Sequence, residues 1–234
     1  MLHKETVEGA TFELLTELMH DPCMDAFNLA GGTALALYMG HRKSVDLDLF
    51  TPDTFDTDEL EKHLTDRYGL RTTFKRGYTL KGYIGEVIID CIRYDYPYIK
   101  PVFASSEGIR LYSLQDIAAM KLSAIADNGT RLKDFIDIAY LSTLLSLSDM
   151  LQAYEMKYPN STRIRALKGL TYHVDVDFAE PIMLMKGNYE WDAVVKRLAD
   201  MIQSSETVYK SFPVSERLKV KSLKSVKKPS NRKL

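Results

Sequence analysis

Apolar positions recur at close to helical period over residues 5–20, where Val7, Phe12, Leu15, Leu18 and Met19 form one stripe and Asp21-Pro22 ends it. "FNLAGG" then reads as a short apolar approach to a turn. Thr33 is placed to N-cap a helix running through Leu35, Leu37 and Met39, and Gly40 stands where a left-handed C-terminal residue would stop it. "SVDLDLF" changes period to strict alternation. Val45, Leu47 and Leu49 face one way, and Asp46, Asp48 and Phe50 the other. A helix follows over residues 56–68, with Gly69 behind it. "LRTTFKRG", "YTLKGYIG" and "EVIIDCIRYD" are three β-rich segments divided by glycines, which predicts an antiparallel meander. "YDYPYIKP" interrupts that pattern with two prolines.

From Ser113 to about residue 204 the periodicity is helical, with breaks at Asn128-Gly129, Pro159-Asn160, "HVDVDFAEP" and Lys186-Gly187. No internal repeat is visible. The pattern predicts an α+β protein: a small mixed sheet with flanking helices over residues 1–100, a mainly helical domain over 101–212, and a tail over 213–234.

Composition changes this picture little. Of 234 residues, 45% are hydrophobic and 27% charged, ordinary for a globular protein with a sizeable core. No apolar run approaches the ~20 residues of a membrane span. "MLHKETVEGATFELL" lacks the layout of a signal peptide, and Cys23 and Cys91 form no metal or disulfide pattern. Both cysteines are read as small buried residues in a reducing compartment, and a cytoplasmic protein without a membrane partner is expected.

Charge is more informative. Residues 217–234 hold eight Lys/Arg and no acid, leaving 23 basic against 32 acidic side chains in the rest. An acidic body meets nucleic acid only through local patches or through that tail. A solvated tail is the plainer interpretation.

The candidate chemistry begins in "NLAGGTALALYMGHRKSVDLDLF". Asp46 and Asp48, two apart on a strand, project from one face. Like charges so close are costly unless a cation lies between them or one is protonated. Oxygen ligands suit Mg²⁺ or Mn²⁺, held by carboxylates together with substrate phosphates. Asp-x-Asp also arises by chance at strand ends. Here, however, Gly31-Gly32-Thr33 opens a helix, which aims backbone N–H groups at an anion. Thr33 and Ser44 can add hydroxyls toward phosphate. Arg42 either does the same or pairs with an acid.

Gly-Gly-Thr, a short helix, and then Arg42-x-Ser44-x-Asp46-x-Asp48 resembles the nucleotidyltransferase signature of the DNA polymerase beta-like superfamily. More closely, the chain is similar to the AbiEii/AbiGii toxin family of type IV toxin–antitoxin systems. "LQDIAAMKLSAIADNGTRLKDFIDIAYL" extends the resemblance, with Lys121 on one helix and Lys133-Asp134-x-x-Asp137 on the next. It spans roughly residues 25–141 and implies a minimal nucleotidyltransferase fold in which these residues complete the site.

The resemblance also implies a third acid on a neighbouring strand, for which Asp90 in "EVIIDCIRYD" is the candidate. Asp90 is read as a third metal ligand, as the base that takes a proton from the acceptor hydroxyl, or as a strand acid paired with Arg71 or Arg93. Glu86 is a weaker substitute. Asp134 and Asp137 are three apart and share a helix face. Lys121 serves as a point charge for phosphate or as one half of an interhelical salt bridge.

The implied activity is transfer of an NMP from an NTP to an acceptor hydroxyl. RNA, the 3′ end of a tRNA, is the implied acceptor, and a cognate antitoxin the implied partner, in toxin or abortive-infection biology. A catalytically inactive nucleotide-binding regulatory module is the competing reading. A sugar-nucleotide glycosyltransferase is disfavoured by the short α/β half. "HVDVDF" repeats the Asp-x-Asp spelling at Asp175 and Asp177 without a glycine turn, and reads as an inter-helix segment. His41 reads as a surface residue after a helix. Tyr94, Tyr96 and Tyr98 read as packing between halves or as a stacking surface.

Overall fold

The computed structural model describes residues 2–213. The basic run at 217–234 and nearly all of the expected tail fall outside the described residues. After a 3-10 turn at Lys4–Thr6, α1 spans Gly9–Met19. β1 (Asn28–Leu29), α2 (Gly31–Met39), β2 (Leu47–Thr51) and α3 (Thr57–Tyr68) follow. β3 (Arg71–Arg76), β4 (Thr79–Ile84) and β5 (Val87–Arg93) form the expected meander, each antiparallel to the next. Two further strands, β6 (Phe103–Ala104) and β7 (Arg110–Leu111), precede the helices α4 (Leu114–Asp127), α5 (Leu132–Leu141), α6 (Leu147–Lys157), α7 (Arg163–Thr171) and α8 (Trp191–Gln203).

The strands assemble into one seven-stranded mixed sheet in the order β3-β4-β5-β2-β1-β7-β6. β2 runs parallel to β5 and antiparallel to β1, and β1 runs parallel to β7. The alternation of "SVDLDLF" is realised on β2, where Leu47 and Leu49 are fully buried while Asp48 and Phe50 are partly exposed. Ile89 and Cys91 on β5 point into the same core. The apolar residues of α2, Ala34 to Leu37, are all buried, as expected of a helix enclosed by β2, α4 and α5.

Three elements differ from expectation. α2 starts at Gly31 with Ala30 as N-cap, so Thr33 lies in the first turn, where its hydroxyl bonds the Asp46 carbonyl oxygen instead of capping. The helical pattern is also broken between α5 and α6, where Ser146 and Asp149 form a reciprocal capping box. β6 and β7 were hidden because two residues are too few to show alternation.

β7 carries Arg110, whose guanidinium donates to the carbonyls of Met19, Met24 and Phe27 and so ties the N-terminal segment to the β7 side of the sheet. The three tyrosines are packing residues at the join. Tyr94 bonds Tyr158 through their hydroxyls, Tyr98 accepts from Asn28 Nδ2 at 2.9 Å, and Tyr96 lies edge-on to Tyr158. Beneath them the fully buried Lys157 pairs with Asp116 at 2.8 Å and donates to the Pro97 carbonyl. Asp116 in turn accepts the Ile99 amide.

Candidate nucleotidyl-transfer site

Asp48 and Asp90 are register partners on the parallel strands β2 and β5, so both carboxylates leave the same face of the sheet as Asp46. Two observations mark Asp46 and Asp48 as short of partners. Asp46 Oδ1 is buried with no hydrogen-bond partner among the described residues. The Asp48 carboxyl is pushed above the usual range, first by burial and then by the nearby Asp90 and Asp46 charges, with Lys121 opposing.

Asp90 alone has a strong partner, Lys81, which is neither of the arginines considered from sequence. Arg71 instead reaches Glu86 and the Gly85 carbonyl, and Arg93 reaches Asp95. Lys81 sits opposite Asp90 on β4, the side away from Asp48. The three acids therefore share a face without their oxygens closing on one point. The group of described residues whose ligand atoms all lie within 4.8 Å of one another is elsewhere, at Asp21, Cys23 and His63.

The glycine turn abuts the acids directly. Gly31 has φ 65°, and a Cβ there would come within 1.8 Å of Asp48 Oδ2. Gly32 is as tightly placed, since its Cβ would lie 2.5 Å from Arg42 Nη2 and 3.4 Å from Ser44 Oγ. Only glycine lets the helix start approach this closely. Thr33 Oγ1 is 2.9 Å from Ser44 Oγ, which positions that hydroxyl beside the turn. An orphaned carboxylate oxygen, crowded like charges and a backbone cradle that a methyl group would fill suit a hard divalent cation carrying phosphates.

The second motif gathers into a buried cluster. Asp137 is fully buried and accepts from Arg42 through Nε at 2.7 Å and Nη2 at 2.9 Å, and from His41 Nε2 at 2.9 Å. Lys121 Nζ bridges Asp137 at 2.8 Å and Asp134 at 2.6 Å, and Arg131 adds a longer contact to Asp134 at 3.4 Å. Burial alone would raise the Asp137 pKa, but the Arg42 and Lys121 charges outweigh it and hold the carboxyl well below the usual range. The Lys121 ammonium is stabilised upward by Asp134 and Asp137 despite burial.

Lys121 and Arg42 are thus engaged by aspartates, and Lys133 turns away to Glu180 at 2.7 Å. His41 is not a surface residue. It is 2% exposed, and its buried Nδ1 has no hydrogen-bond partner among the described residues. "HVDVDF" lies in the segment between α7 and α8, as its lack of a glycine turn suggested. Asp177 there receives the Ala179 amide and donates its own to Thr130.

The profile of the nucleotidyl transferase AbiEii toxin of type IV toxin–antitoxin systems matches residues 13–201. The chain belongs to the AbiEii nucleotidyl transferase toxin family. The protein aq_aa25 of Aquifex aeolicus is 33% identical over 158 residues, covering 65% of this chain and 76% of that one. Among solved structures, a "putative nucleotidyltransferase from H. pylori" superposes with a TM-score of 0.52 at 17% identity, covering 95% of this chain and 100% of that chain. JHP933 from Helicobacter pylori does so with a TM-score of 0.50 at 17% identity, over 94% and 98%. These two share the fold. The family match takes in both motifs and reaches into α8, well past residue 141, where the sequence resemblance ended.

Sequence reasoning missed Lys81, Arg131 and His41 as members of the charged environment. Lys81 carried a findable signal: in a hairpin meander the residue opposite Asp90 follows from the turn at Gly85.

Proposed function

We propose that this chain transfers a nucleoside monophosphate from an NTP to a hydroxyl of RNA, the 3′ end of a tRNA being the acceptor that family membership implies. The observation that carries this reading is the partner-poor pair Asp46 and Asp48 set against a glycine-led helix start. Asp46, Asp48 and Asp90 would hold Mg²⁺ or Mn²⁺, which supplies charge neutralisation at the phosphates and the attacking oxygen. The Gly31 and Gly32 amides, with the Ser44 hydroxyl, bind phosphate oxygens. Asp90 serves either as the third ligand or as the base for the acceptor hydroxyl once Lys81 releases it, and pyrophosphate leaves.

Lys121, Asp134, Asp137 and Arg42 act as positioning residues. They fix α4, α5 and the glycine turn relative to β2, and the Lys121 charge favours the ionised form of Asp48.

The acid face continues outward over β4 and β3 through Lys81, Tyr83, Phe74 and Arg76, which are register neighbours on one side of the sheet. Tyr83 and Phe74 are 38% and 47% exposed. Exposed rings beside cations form a platform for a single-stranded RNA end. The toxin setting of the family implies an antitoxin partner.

Labelled NTPs, Mg²⁺ and total RNA incubated with the protein test this reading. Label should enter RNA and be lost with Asp48→Ala. No transfer to RNA or protein under any NTP would overturn it.

The Lys81–Asp90 ion pair favours a second reading, a nucleotide-binding module whose third acid is permanently neutralised. That reading expects saturable NTP binding without transfer, unchanged by Asp90→Ala.

A further inference from the structure

Away from the acid face, α3 covers the opposite side of the sheet, where Lys75 on β3 reaches its Asp58 and Glu61. On α3, His63 Nε2 lies 2.7 Å from Asp21 Oδ2. Asp21 is 1% exposed and also receives the Tyr68 hydroxyl at 2.7 Å, the Cys23 amide at 3.0 Å and Arg67 at 3.4 Å. The Asp21 oxygen, set to accept from Nε2, favours the imidazole tautomer that donates there, which leaves the Nδ1 lone pair for a ligand.

That lone pair faces Cys23 Sγ at 3.6 Å. Tetrahedral zinc with Zn–S of about 2.3 Å and Zn–N of about 2.0–2.1 Å sets sulfur and nitrogen roughly 3.5–3.6 Å apart. The spacing already present is the one such an ion requires. An imidazole oriented by a carboxylate through its far nitrogen is also the usual support of a zinc-bound histidine.

We propose that Cys23 Sγ and His63 Nδ1 bind a borderline-soft divalent cation, zinc by chemical class, with Asp21 positioning the imidazole. Binding releases the Cys23 thiol proton to solvent, and the resulting thiolate and the Nδ1 lone pair form the two bonds to the ion. Cys23 is exposed, so water fills the remaining positions, and the affinity falls below that of a closed four-ligand centre. Sulfur and nitrogen ligands exclude Mg²⁺, which separates this site chemically from the acid trio. No local motif marks this site, because Cys23 and His63 lie 40 residues apart.

Chelator-treated full-length protein titrated with Co²⁺ tests the proposal. A thiolate-to-cobalt charge-transfer band should appear, be displaced by Zn²⁺ and be untouched by Mg²⁺. Cys23→Ser and His63→Ala, both at accessible positions, should abolish the band while thermal unfolding shows a folded protein. Asp21→Asn should weaken Co²⁺ binding about 10- to 100-fold. A band that persists in Cys23→Ser, displacement of Co²⁺ by Mg²⁺, or no band at saturating Co²⁺ would each overturn the proposal. NTP-dependent labelling by Cys23→Ser should match the wild type, so this site and the transfer site fail independently.

Discussion

Two sets of aspartates meet at the glycine turn, and they are treated in opposite ways. Asp134 and Asp137 on α5 are buried, and between them take up Lys121, Arg42, His41 and Arg131. On the β2 side, Asp48 is opposed only by the Lys121 charge, and Asp46 Oδ1 has no hydrogen-bond partner among the described residues. The carboxyl of Asp137 is accordingly driven down and that of Asp48 up. Saturated pairing anchors helices; carboxylates left short of partners are held ready for something that arrives later. A protein that tolerates such local destabilisation has retained it at a site of use.

The comparison can be broken most forcefully at Asp137. Asp137→Ala leaves the buried Arg42 guanidinium without its carboxylate and Lys121 with Asp134 alone, and should cost about 3–5 kcal/mol in urea or thermal unfolding. A variant as stable as the wild type would remove the anchoring role. Next is Asp48→Ala. Label transfer from NTP to RNA should fall by about 10²–10³, comparable to deleting one essential electrostatic stabiliser, while the unfolding temperature does not fall. Loss of fold would erase the contrast with Asp137.

Tyr83→Ala and Phe74→Ala should each weaken RNA binding by about 1–3 kcal/mol and leave NTP binding unchanged, measured by separate titrations of the two ligands. Asp48→Asn should then stabilise the metal-free protein at neutral pH by on the order of 0.5–2 kcal/mol, since it relieves the crowded charge.

The smallest effect is a pH slope. Burial lowers the His41 pKa beneath its ordinary 6.5, with Asp137 opposing. The unfolded chain therefore takes up a proton that the folded ring declines. Stability is full above pH 6.5 and declines as pH falls below it. His41→Gln should flatten that slope in denaturant titrations at pH 7 and pH 5.

Much of the fold was legible because its signals are local. The change from helical period to alternation at Ser44–Phe50 located β2, and glycines at 40 and 69 closed α2 and α3 with the expected left-handed geometry. Residues grouped by motif, such as Asp46 with Asp48 and Lys121 with Asp137, were found together. What was missed depends on partners distant in the chain. Thr33 was expected to cap its helix, but the Asp46 carbonyl, thirteen residues on, accepts its hydroxyl instead. His41 looked like a residue beyond a helix end and is buried only because α5 covers it. Cys23 looked like a core thiol and is exposed, since the short turn at Pro22–Met24 directs Met24 inward in its place.

Gly31 and Gly32 stand between the two aspartate sets, one glycine pressed on Asp48 and the other on Arg42, the guanidinium that grips Asp137. The spacer between them is as thin as a polypeptide allows, because any side chain would wedge them apart. On the proposed reading, the phosphate end of the site therefore has no room to drift in shape. On the same reading, diversification toward new acceptors would fall to the exposed face of β3 and β4, where Phe74 and Tyr83 stand apart from both carboxylate sets.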